Sequence, residues 1–254
     1  MTLDRAKPLA LPLAVLAAFE LWARATHLQS DSLAPPSAIV AALAGALADY
    51  SIPLATRDTL FSAFAGLAIG SMIGLALGVA LGLSRVFDRL MEVTVEAVRP
   101  IPSIALLPIA LIALGFGYRM EIMIVAFACI WPMLILSRTA VRSIEPRLME
   151  VARALKLPLA QRVWKIVIPA ALPRIFVAFR LSAGIALIVA VTVEIAINPL
   201  GLGAGIMLAQ QALRPDLMLA YLVWIGVIGY GLNICLTVAQ RRLFGRAALS
   251  GENP

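Results

Sequence analysis

Charge, histidine and cysteine are all scarce in this chain. One histidine and two cysteines occur in 254 residues. His27 stands beside no obvious nucleophile or metal partner, and Cys129 and Cys235 both lie inside apolar runs. That spacing argues against a disulfide framework and against a zinc site. It leaves the cysteines as small buried hydrophobes. No nucleophile and base stand together inside an apolar run, so an intramembrane protease finds no support and no catalytic residue is assigned. The phosphate loop G-x-x-x-x-G-K-[ST] is missing as well, so the chain has no ATP-binding loop of its own. Charged residues make up 14% of the sequence, against about 25% in soluble domains.

What is present is apolar. Hydrophobic residues account for 62% of the chain, with a mean hydropathy of +0.96. A soluble fold of this length cannot hide so much apolar surface, whereas lipid solvates it. Judged against the need for about 20 apolar residues per crossing, six spans emerge: 8–25, 60–83, 93–114, 122–136 (extendable to 140), 172–197 and 217–239. The third is interrupted by Pro100, Pro102 and Pro108. A proline-bearing loop, Leu33-Ala34-Pro35-Pro36-Ser37, precedes a short interfacial helix over 38–50. The stretch 198–216, with Pro199, Gly201, Gly203 and Gly205, reads as a loop holding one short helix. Arg5 and Lys7 ahead of the run 9–23 give a loose signal-peptide pattern. Arg24 inside the cleavage triplet Ala23-Arg24-Ala25 favours a retained first helix.

The net charge of +7 reads as topology, not as affinity for nucleic acid. With the N-terminus inside, the inner segments hold 15 of the 21 lysines and arginines. Most of these lie at Arg85 and Arg89, in the connection 137–173, and at Arg241, Arg242 and Arg246. Only Arg24, Arg57, Arg119 and Arg214 fall outside. Basic residues collect in short cytoplasmic loops, so both termini are expected in the cytoplasm. The expected fold is an all-α integral membrane bundle of six helices. It forms a single domain over 1–254, with a core of about 55–245. In the second span, Gly66, Gly70, Gly74, Gly78 and Gly82 recur every four residues and make a smooth stripe for close helix packing.

The connection 150–173 reads EVARALKLPLAQRVWKIVIPAALP. It is amphipathic, and Pro158 divides it into one short helix before and another from Leu159. It resembles the EAA loop of ABC importer permeases: Glu-Ala-Ala, three residues, Gly, nine residues, then Ile-x-Leu-Pro. Glu150, Val151 and Ala152 take the first three places, Lys156 the glycine place, and Ile166, Ile168 and Pro169 the last. Val151 for Ala and Lys156 for Gly are departures, and lysine adopts positive φ less readily than glycine. Arg99-Pro100-Ile101-Pro102, Leu107-Pro108 and Gly115-Phe116-Gly117 resemble the third-span signature of the nitrate, sulfonate and taurine type of permease. Val193-Glu194 with Gly201-Leu202-Gly203, and the segment 33–37, are similar to that group as well.

The resemblance implies a type I ABC importer-like fold with a cytoplasmic coupling helix in a loop of about 141–171, in a bacterial inner membrane. It implies a second permease copy as a homodimer partner, two cytoplasmic ATPase subunits that bind ATP and Mg, and a periplasmic substrate-binding protein. The ATPase-contacting residues would be Glu150, Val151, Ala152, Arg153, Ala154, Leu155, Lys156 and Leu157. The solute would be a small anion of the sulfonate, taurine, nitrate, bicarbonate or carboxylate type. No cofactor or metal is expected in this chain. Three charges within or beside spans, Arg99, Arg180 and Glu194, are pathway candidates; the alternative is that they snorkel or pair to hold the bundle. A stand-alone secondary transporter is the competing function. It predicts internal repeats, and none relates 1–127 to 128–254.

Overall fold

A computed structural model of the chain describes residues 7–26 and 30–245. His27 lies outside them, as do the side chains of Val151 and Arg153. All regular elements among the described residues are helical: α1 (Lys7–Ala25), α2 (Pro36–Ala48), α3 (Ser51–Leu83), α4 (Arg85–Val98), α5 (Leu107–Leu114), α6 (Tyr118–Arg142), α7 (Pro146–Ala154), α8 (Leu159–Arg162), α9 (Ile168–Ala196), α10 (Gly201–Gln211) and α11 (Pro215–Phe244). A 3-10 turn (Ser103–Leu106) precedes α5, and one π turn (Val163–Val167) joins α8 to α9. Contacts among the described residues divide into two compact units, one lying within 1–58 and 194–228, the other within 59–193 and 229–254.

In the second unit, α6 lies directly on the glycine stripe of α3. A Cβ at Gly66 would come 2.6 Å from Val125, one at Gly74 2.7 Å from Met133, and one at Gly82 2.7 Å from Val141. The offset between partners stays constant along the stripe, so the two helices run parallel. Two parallel neighbours in a membrane need a return crossing between them. That crossing is the segment 85–114, and it is not the straight span expected at 93–114. α4 and the 103–114 segment meet at 81°. Pro100 and Pro102 accompany the break: neither has an N–H to continue the helical hydrogen bonding, and the backbone passes from helical at Arg99 to extended at Pro102.

The other helices follow from α6. Buried Val125 and Cys129 pack with Ala186 and Ala190, and Val141 with Val167 and Ala171. The pairing runs backward along α9, so α6 and α9 are antiparallel. Phe176 meets Phe244 at 5.6 Å between ring centroids, which brings the end of α11 to the start of α9. One end of this unit therefore gathers the close of α3, α6 and α11 and the start of α4 and α9. There stand Arg85, Arg89, Arg138, Arg142, Arg174, Arg241 and Arg242, with α7 and α8 attached.

In the first unit, Ala46, Ile52, Leu202 and Tyr221 form a core with Trp224 beside it. Trp224 Nε1 donates to Thr56 Oγ1 at 2.9 Å, tying α11 to α3. Gly205 lies flat against the Tyr221 ring. α1 and α2 are joined through Glu20, which accepts from the Ser37 hydroxyl at 2.7 Å and from Arg24.

Six spans were expected. Among the described residues, four helices are long and apolar enough to cross a membrane, α3, α6, a run 160–211 containing α9, and α11; the bent pair makes five. α1 is not among them, its 19 residues including Lys7, Pro12, Glu20 and Arg24.

Overpacking the stripe should be costly. Gly74→Leu would drive a side chain into the α6 backbone and is expected to cost about 3 kcal/mol, seen as a lower thermal midpoint of the purified protein. Gly226→Ala, where an added Cβ meets nothing within 4 Å, should leave the midpoint unchanged or slightly raised.

Candidate functional site

The surface at the basic end is built from α7, α8 and the turn between them. α7 ends at Ala154 and α8 begins at Leu159, so Pro158 falls in the gap. The turn is closed by the Leu157 N–H, which donates to the Ala152 carbonyl at 3.1 Å. That six-residue bond, with a left-handed residue at the position before its donor, is the Schellman ending of a helix. The left-handed residue is Lys156, with φ of 49°. Lysine thus occupies the conformation for which glycine is suited, at a cost of about 1 kcal/mol.

Of the α7 segment, Ala152 is buried while Glu150, Ala154, Leu155 and Lys156 are exposed. Leu148 and Leu155 present apolar side chains outward, Leu155 at 65% exposure. Beyond α8, Val167 and Ala171 are fully buried against Val141 and Ala140 of α6, and Arg174 donates to the Ser143 hydroxyl. The exposed turn is therefore anchored at its far side to two membrane helices.

Beside this surface lies an ion cluster that sequence reasoning passed over. Asp88 of α4 is buried and paired with two arginines of α6, Arg138 at 2.6 Å and Arg142. A signal was available: Arg138 and Arg142 are four apart on one helix face, and Asp88 sits between Arg85 and Arg89. Glu121, wholly buried at the start of α6, was missed as well, although it stands at the head of a long apolar run.

The three pathway candidates fall in different settings. Glu194 is 2% exposed. Its Oε2 accepts from the Gly203 N–H at 2.8 Å, so its carboxylate sits on the amide end of α10, where negative charge is favoured. Leu200, the residue preceding that helix, supplies no side-chain cap. Gly201, with φ of 87°, lies so close to the carboxylate that a Cβ there would collide with it. Arg180 donates through Nε and Nη2 to Asn233 Oδ1 at 3.2 and 2.9 Å, linking α9 to α11. Arg99 closes α4 at the break, exposed.

Comparison with known proteins adds sequence and fold relationships. The profile of the binding-protein-dependent transport system inner membrane component family matches residues 66–248. A putative aliphatic sulfonates transport permease protein of Bacillus subtilis is 26% identical over 237 residues, covering 93% of this chain and 86% of that protein. A bicarbonate transport system permease protein of Synechococcus elongatus is 32% identical over 188 residues, 73% of this chain and 67% of its own length. Among solved structures, the inward-facing MetNI methionine ABC transporter superposes with a TM-score of 0.67 at 21% identity, covering 73% of this chain and 93% of that one. An amino acid ABC transporter with histidines gives 0.63 at 18% identity, over 78% and 97%.

Two measurements check the local geometry. Glu194→Ala should lower the thermal midpoint by the worth of a helix cap, about 1–2 kcal/mol. Gly201→Ala alone should also be destabilising, and the double variant should cost less than the two single losses combined, because removing the carboxylate frees the space the new Cβ needs. Lys156→Gly should relieve the left-handed backbone and slow amide hydrogen exchange at Leu157 by up to about fivefold, the equivalent of about 1 kcal/mol.

Proposed function

The chain belongs to the family of binding-protein-dependent transport system inner membrane components, and from that membership we propose how it works: as the membrane-spanning permease subunit of an ATP-driven importer of small organic or inorganic anions. Two copies of the chain pair to enclose a pathway, two cytoplasmic ATPase subunits dock on the basic end, and a periplasmic binding protein delivers the solute. ATP and Mg belong to the ATPase subunits. The whole of 1–254 acts as one permease domain in a bacterial inner membrane.

The observation that carries this role is the α7–α8 turn. Leu148 and Leu155 are exposed apolar side chains outside the candidate spans, amid Arg147, Glu150 and Lys156. An apolar patch rimmed by charge marks a contact with another protein. The turn is tied through Val167 and Ala171 to α6 and α9, so displacement of the docked surface is transmitted to membrane helices. Closure of the ATPase pair on nucleotide would shift α7 and bias the bundle between inward and outward states.

Orientation follows from charge. The arginines gathered at the end holding Arg85, Arg138, Arg174 and Arg241 make that end cytoplasmic by the positive-inside rule. α3, the bent pair, α6, α9 and α11 give five crossings, and α1 supplies a sixth that returns the N-terminus to the same side. The most apolar window of α11 has no buried residue and Ile112 is 88% exposed; lipid and the second copy cover these faces. The solute range of the sulfonate and bicarbonate permeases noted above supports an anion. Of the three span charges, Arg180 and Glu194 are engaged in holding helices together, which leaves Arg99 for the pathway.

Crosslinking tests the docking surface. With Cys235 replaced by serine, a cysteine at Leu155 should crosslink to the ATPase subunit in the assembled transporter, and the yield should change on adding ATP. An intact complex that gives no crosslink from that position would refute the assignment of the α7–α8 turn.

A further inference from the structure

The break between α4 and α5 is costly in a membrane unless something requires it. Arg99 is the last residue with helical φ and ψ, Pro102 is extended, and Arg99, Pro100, Ile101 and Pro102 are all exposed. Non-helical backbone within the hydrocarbon is tolerated only where protein buries it or where it lines a water-filled cavity. It is not buried here. Arg99 shares a cavity with Phe127, Trp131, Leu181 and Ile185, near the middle of α6 and α9, which places it well inside a hydrocarbon layer about 30 Å thick. A free guanidinium at that depth is among the most expensive groups a membrane protein can carry. It makes no ion pair or hydrogen bond with the described residues.

A cavity of about 450 Å³ opens at this point, in the second unit alone. Arg99 is the one charged residue among its described lining residues, and Ser103 adds a hydroxyl at the first residue of the 3-10 turn. The same wall includes the side chain of Trp131. The polar groups offered are a guanidinium and a hydroxyl, a pair suited to an oxyanion. The rest of the lining is apolar, including Phe127, Leu181 and Ile185. A bare inorganic ion leaves such a wall without a partner; a carbon skeleton covers it.

We infer that this cavity is a solute-binding site within the membrane, in which Arg99 and Ser103 hold the head group of an organic oxyanion, a sulfonate or carboxylate, and the apolar wall, Trp131 included, receives its carbon chain. Because the site presupposes the importer role proposed above, its test begins from the assembled transporter with its ATPase subunits, in lipid nanodiscs. Intrinsic tryptophan fluorescence is titrated with ethanesulfonate, benzoate, nitrate, bicarbonate and, as a cation, choline. Ethanesulfonate or benzoate should give a saturable change at lower concentration than nitrate or bicarbonate. Arg99→Gln should raise the apparent Kd at least tenfold, Arg99→Lys and Ser103→Ala by a smaller factor, and Trp131→Phe should remove most of the signal. The exposed Arg119, on the far side of α5, serves as control: Arg119→Gln should leave the Kd unchanged. Each variant is checked for assembly and basal ATP hydrolysis.

An assembled, ATP-hydrolysing complex that binds none of the organic anions overturns the site and leaves the importer role standing. So does binding that Arg99→Gln does not weaken, or a preference for nitrate, bicarbonate or choline. A chain that does not assemble with any ATPase subunit overturns the importer role and the site with it.

Discussion

Backbone contact between α3 and α6 is the constraint from which the second unit follows. Five glycines at four-residue spacing leave no side chain on one face of α3, and α6 approaches until an added Cβ at any of them would fall within contact of its partner helix. In lipid there is no hydrophobic drive to bring helices together, so close packing of backbone on backbone supplies the attraction. Once the two helices lie parallel, the segment between them must recross the membrane. α9 and α11 then take the remaining faces of α6 and α9, and the arginines at the helix ends collect on one side.

The recrossing segment is where the bundle departs from regular structure. Its first half, α4, is charged along one face and is fixed to α6 by the buried Asp88 between Arg138 and Arg142. Its second half starts again after Pro102. Removing Asp88 would leave two arginines uncompensated at a half-buried site, a larger penalty than the pair itself returns. Thus the same helix carries a rigid anchor at its basic end and an open joint at Arg99. Rigid support beside an irregular joint is the arrangement that lets a site keep its geometry while its surroundings move.

Much of this was legible in the sequence, because membrane solvation reduces the problem to apolar length and charge placement. The glycine stripe, the second, fourth, fifth and sixth spans, and the proline-divided helix pair of 150–173 could all be read from period and composition. The third span could not be placed correctly. Its apolar window begins at Val93, yet the helix begins at Arg85, because α4 is amphipathic and an apolar count discards its polar face. For Glu194 the sequence left two settings open, a pathway group and a charge that holds the bundle. A lone acid in an apolar run looks like a pathway group, and nothing local says that its carboxylate reaches nine residues onward to the amide of Gly203. Trp131 and Ser103 gave no signal, being an aromatic and a small residue in apolar runs, until the fold brought them to one cavity with Arg99.

The contact of Glu194 with Gly201 has a consequence for how this chain can vary. Gly201 is held at a left-handed φ, and the space above its Cα is filled by a carboxylate seven residues earlier. A side chain at 201 evicts the acid, and loss of the acid leaves α10 uncapped, while the positive φ favours glycine there in either case. The dependence therefore runs one way: a side chain can enter at 201 only after the acid has gone, whereas the acid can change while the glycine stays.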